Sequence, residues 1–212
     1  MKLTLAAVAS VLLITGCANP GLRPLDFRPT WACTSHTTRN NIDVTVTRTL
    51  DAQGQQIDIE YQWSIGGFDR GRLALMAMQQ IKVAGDPSLR ARELLVSWSG
   101  FPSHLQRERL LIVLHPSDEP PNTLDGVAMI PYANDLIGGV LSWQRVASLA
   151  HDSPSAQLSL LEPRGRTIRS ATVDLTRMSA AVEQTRAALD ATRTKAAKFE
   201  KGCEPVTEWM KL

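Results

Sequence analysis

The side chains able to do acid–base or metal chemistry are few. Four histidines are present, His36, His104, His115 and His151, and none stands in an HExxH or similar ligand spacing. A metal site needs at least three convergent ligands. The sequence shows no such convergence, so neither a metal nor another cofactor is expected. The run His115-Pro116-Ser117-Asp118 holds the three residue types of a serine hydrolase, but a triad is assembled from distant segments, not from consecutive loop residues. Gly100-Phe101-Pro102-Ser103-His104 lacks the form of a nucleophile elbow. An enzymatic reading therefore rests on His104, His115 and Asp118 converging only in the folded chain. Paired carboxylates such as Asp118 and Glu119, or Asp51 and Asp58, are the ordinary content of turns, and nothing resembles a phosphate loop or dinucleotide fingerprint.

Two other residue types suggest binding. Arg164, Arg166 and Arg169 cluster at a predicted hairpin tip, with Arg90 and Arg92 grouped elsewhere. Guanidinium forks suit phosphate and carboxylate groups, so the first cluster is a possible anion site, although a solvated hairpin tip is the plainer reading. Among the five tryptophans, Trp63 lies on the apolar side of its strand and belongs to the core. Trp98 and Trp143 could line a ligand groove, against the commoner role of Trp in packing. A formal charge of +2 over 212 residues lacks the basic footprint of a nucleic-acid binder, and 43% apolar with 21% charged residues is ordinary for a folded domain.

The first residues carry a different signal. Met1 and Lys2 precede an apolar run, Leu3 to Ile14, broken only by Thr4 and Ser10. As a helix it reaches about 18 Å, short of the ~30 Å hydrocarbon core, which fits a signal peptide rather than a membrane span. The run Leu13-Ile14-Thr15-Gly16-Cys17 resembles the lipobox of bacterial lipoproteins. The resemblance implies cleavage before Cys17, diacylglycerol on its sulfur and a further acyl chain on its amine (palmitate is the usual one). It also implies residence in the bacterial cell envelope. Ala18 rather than Asp after the cysteine implies sorting to the outer membrane, with the domain in the periplasm. On this reading residues 1–16 are signal peptide. Residues 17–30, with Pro20, Pro24 and Pro29, are an extended lipid tether, and residues 31–212 are a single globular domain. An exported domain meets an oxidising compartment, so the remaining cysteines, Cys33 and Cys203, are expected to pair. Two buried free thiols or a bond to a partner are the alternatives.

The elements that position these residues follow from periodicity. Ile42, Val44 and Val46 alternate with polar residues, as do Ile57, Ile59, Tyr61 and Trp63, on either side of Asp51-Ala52-Gln53-Gly54, which predicts a hairpin. Leu73 to Val83 is of strand length between Gly71 and Gly85, with a helix as alternative. Leu94 to Trp98, Leu110 to His115 and Val127 to Ile130 read as further strands. Ser142 to Ala150 reads as a helix capped by Ser142, with Trp143, Val146, Ala147 and Ala150 on one face. A second hairpin turns at Pro163-Arg164-Gly165-Arg166. Leu175, Met178, Val182, Thr185, Leu189, Thr192, Ala196 and Phe199 step in threes and fours, predicting a helix from a cap at Asp174 to Gly202.

The order predicts an α+β fold: an antiparallel sheet of about seven to nine strands, a short helix near 142–150, and a long C-terminal helix near 175–201 packed on one face. Packing on its own sheet is favoured over a coiled-coil seam, given the two Thr positions. The function expected is a non-enzymatic binding or accessory module, held to the membrane by Cys17 and partnered by an envelope protein or cell-wall component. The alternatives are an envelope hydrolase and a lipid or small-molecule carrier with a cavity between sheet and terminal helix.

Overall fold

The computed structural model describes residues 29–81, 93–101, 109–133 and 135–206. The leader, Cys17 and the tether as far as residue 28 lie outside them, as do Arg90, Arg92 and His104. The strands are β1 (Thr30–Arg39), β2 (Ile42–Leu50), β3 (Gln56–Phe68), β4 (Leu73–Ile81), β5 (Glu93–Ser99), β6 (Leu111–His115), β7 (Val127–Ala128), β8 (Ile130–Ala133), β9 (Leu136–Ser142), β10 (Ser155–Leu161), β11 (Thr167–Asp174) and β12 (Glu204–Val206). The helices are α1 (Trp143–Asp152), α2 (Thr176–Ala196) and the one-turn α3 (Phe199–Gly202).

The fold is α+β and antiparallel, but the strands form two sheets. One has eight strands in the order β12-β1-β2-β3-β4-β5-β9-β8; the other has four in the order β11-β10-β6-β7. The eight-stranded sheet agrees with the expected seven to nine strands, and the four-stranded sheet is an addition to it. The β10–β11 hairpin pairs with β6, while β8 and β9, which the sequence did not announce, extend the larger sheet beside β5. The sheets approach at Gly139, where a Cβ would come within 2.6 Å of Met129 Sδ and 3.4 Å of Ile112 Cγ2.

Period-two alternation sets the register where it is clean. Val44 stands opposite Trp63 and Val46 opposite Tyr61, and all four are buried. Asp51 closes the intervening turn, its Oδ1 accepting the backbone N–H groups of Gln53 and Gln55 at 2.9 and 2.7 Å. The Leu73 segment is strand β4: Leu73, Leu75 and Ala77 face inward while Met78 is exposed.

α2 lies on β1, β2 and β3, burying Met178, Ala181, Thr185, Ala188, Leu189 and Thr192. Asp174 Oδ1 accepts from the Thr176 N–H at 2.9 Å at its start, whereas Ser142 makes no side-chain cap for α1. The long helix expected near 175–201 is α2, followed by the single turn of α3. The chain leaves α2 at Ala196 and begins α3 at Phe199, which sets the Phe199 ring edge-on to Trp31, centroids 5.8 Å apart. Likewise α1 buries Val146 and Leu149 and leaves Ala147 and Ala150 exposed.

One contiguous core draws on both sheets, α1 and α2. Each large side chain wholly removed from water there contributes about 1.5–3 kcal/mol. Tyr61 is among them. Its hydroxyl donates to Gln79 Oε1 at 2.7 Å, and burial pushes its pKa up to about 12, because a phenolate would have to form out of water.

Candidate functional site

Between α1 and α2 runs an open groove of about 370 Å³, within the range of small-ligand sites (~300–1,000 Å³). Its apolar lining includes Trp143, Met178 and Val182. Ala147 and Ala150 leave room where larger residues would fill the space, and His151 and the Glu183–Arg186 ion pair supply polar groups. Trp143 is held by an edge-on contact with the buried Trp63, centroids 6.0 Å apart, so one tryptophan anchors the other. The groove suits an apolar side chain with a polar flank.

Trp98 lies in the hydrophobic core. It is 0% exposed, and its Nε1–H donates to Asp69 Oδ2 at 2.8 Å. Arg169 reaches the same carboxylate at 3.7 Å, donates to the carbonyls of Ser99 and Gly100, and stacks over Phe101 at 4.3 Å. Arg169 is therefore a strut between β11 and the end of β5, and it leaves the predicted arginine cluster. Asp69 and Arg70 both hold left-handed backbone, φ 43° and 57°. That conformation costs roughly 1–2 kcal/mol per non-glycine residue and is held here by the Trp98 and Arg169 contacts.

At the hairpin tip Arg166 forks onto Glu162, and this bond, with Arg164 nearby, holds the Glu162 carboxyl below its ordinary range. The tip thus carries its own counter-charge, which weakens it as an anion site.

His115 and Asp118 are not brought together. The His115 Nδ1–H donates to the Pro116 carbonyl at 2.8 Å, and Nε2 lies 2.9 Å from the Ser159 hydroxyl. Ser159 Oγ lies 2.9 Å from Ser170 Oγ on β11. This chain of hydroxyls could pass a proton from exposed Ser170 to His115. Yet Ser159 is 2% exposed and a carbonyl, not an acid, stands behind the imidazole. Its evident role is to satisfy buried polar groups between β6, β10 and β11. Among the described residues no three His, Cys, Asp or Glu side chains converge on a metal position, and no helix is long and apolar enough to cross a membrane.

Cys33 and Cys203 form a disulfide, tying β1 to the end of α3. Sequence reasoning missed Asp69 and Arg48. The signal for Arg48 was available: the inward row Ile42, Val44, Val46 continues by twos to Arg48 and Leu50, placing a cation on the core face of β2. No protein-family profile, curated protein or solved structure matches this chain.

Proposed function

We propose that this chain is an envelope lipoprotein whose domain, carried on a Pro-rich tether in the periplasm, is a non-enzymatic binding or accessory module. The observation that supports the reading is the use of the cysteines. Of three in the chain, Cys33 and Cys203 are bonded to each other. The remaining one, Cys17, ends the lipobox-like run. A disulfide-closed domain fits an oxidising compartment, and two or more acyl chains give firm anchorage where one gives marginal binding. The α1–α2 groove is the face proposed for an envelope protein or cell-wall partner. The alternative, an envelope hydrolase, rests on His104, His115 and Asp118, of which His104 lies outside the described residues.

Metabolic labelling with a tagged fatty acid tests the anchor. Wild-type protein takes up the label and Cys17→Ala takes up none. Unlabelled wild-type protein, or equal label in both, contradicts the proposal.

A further inference from the structure

We propose that Arg48, with Arg193 and Lys195, forms a binding site for a phosphate-type oxyanion at the end of the domain where the tether joins it. Arg48 stands opposite Cys33 on β1 and Ile59 on β3, both buried, and is itself 7% exposed. Among the described residues its Nε and Nη2 are buried and have no hydrogen-bond partner. The other inward-turned arginines are provided for. Arg177 Nη2 donates to the carbonyls of Asn40, Asn41 and Gly66, and Arg169 has two carbonyls and Asp69. A buried guanidinium without acceptors is costly, and an orphaned group of this kind calls for an ion or water that completes it.

Among the described residues the charge acting on Arg48 is that of another cation. Burial lowers the pKa of Arg48, and the like charge of Arg193 lowers it further. Arg193 is exposed and reaches Asp190 only at 3.7 Å. The exposed Lys195 ammonium donates to the carbonyl of Thr34, next to Cys33, and keeps two donors free of that bond. The last carbonyls of α2 add negative potential equivalent to about half a charge at most. A planar fork beside two further cations suits a multiply charged tetrahedral oxyanion better than a single carboxylate.

Position suggests the source. Leu50, two residues beyond Arg48, pairs with Trp31, and Thr30 begins β1 where the tether ends. If the lipid anchor holds, this end faces the membrane and the phosphate is that of a headgroup; otherwise it is a free phosphate. The site stands without the anchor, and only the choice of source rests on it.

The test follows the thermal midpoint of the full chain in uncharged detergent micelles. One arm adds millimolar inorganic phosphate at ionic strength held constant with chloride; the other adds phosphatidylglycerol to the micelles. A saturating probe is expected to raise the midpoint by about 5 °C. Arg48→Met is expected to abolish the rise while melting at or above the wild-type temperature, because an unpaired buried cation is replaced by an apolar chain. Arg193→Gln, an exposed substitution that leaves the core intact, is expected to weaken binding about two- to fivefold. A response to phosphate identifies the free ion, and a response to phosphatidylglycerol alone identifies the headgroup. No rise with either probe, or a rise that survives in Arg48→Met, overturns the proposal.

Discussion

Replacing Cys33 and Cys203 together by Ala is expected to lower stability by about 5 kcal/mol. The bridge spans a sequence separation of 170 residues, so it removes a long loop's freedom from the unfolded chain. The chain-entropy relation gives roughly 5 kcal/mol for that length, and residual structure in the unfolded chain reduces it. The bond also acts locally. β12 is three residues long and pairs only with β1, and α3 is a single turn. Such elements are too short to hold themselves, so without the bridge they should exchange their amide hydrogens first. Denaturant unfolding of wild-type and double-Ala proteins measures the first effect and hydrogen exchange the second. A loss under about 1 kcal/mol would mean that the bond holds little, and that packing of Trp31 on Phe199 closes the domain unaided.

Trp98→Ala is expected to cost about 4 kcal/mol, the range for emptying a buried aromatic site. The indole is wholly buried, lies edge-on to Phe101 with centroids 5.7 Å apart, and its N–H meets the Asp69 carboxylate. Trp98→Phe keeps most of the apolar contact and loses the bond to a charged acceptor, worth about 1.5–3 kcal/mol. The two variants therefore separate packing from the hydrogen bond. Since Asp69 and Arg70 hold left-handed backbone against this indole and Arg169, the Phe variant should also loosen the turn after β3. Near-equal stability of Trp98→Phe and wild type would show that Arg169 alone holds Asp69. A Trp98 that tolerated Ala would contradict its place in the core.

Sequence periodicity made part of this fold legible. The β2–β3 hairpin, the β10–β11 hairpin and α2 carry clean periods of two or three-to-four, and each appears where that pattern lies. Strand β9 was hidden because Gly138 and Gly139 interrupt its apolar run, and at Gly139 a side chain would meet Met129 and Ile112. The division into two sheets was not legible, since which strand pairs with β6 depends on contacts far apart in sequence. The α1 face was misplaced for a related reason. Leu149, not Ala147 or Ala150, is the buried partner of Val146, and the two alanines make space for the groove. The arginines teach the same lesson. Arg164, Arg166 and Arg169 looked alike as neighbours in a turn. Register sends Arg169 to Asp69 while Glu162 takes Arg166, and among the described residues the Arg on the inward row of β2 has its buried Nε and Nη2 without an acceptor.

The binding-module reading is tested most directly by crosslinking in cells. Natively acylated wild-type protein and Ala150→Arg, which blocks the α1–α2 groove at an exposed position, would be recovered from membranes and their adducts identified by mass spectrometry. The account predicts one reproducible, stoichiometric envelope partner on the wild-type protein and a severalfold lower yield on the variant. No adduct above background on either protein would contradict it.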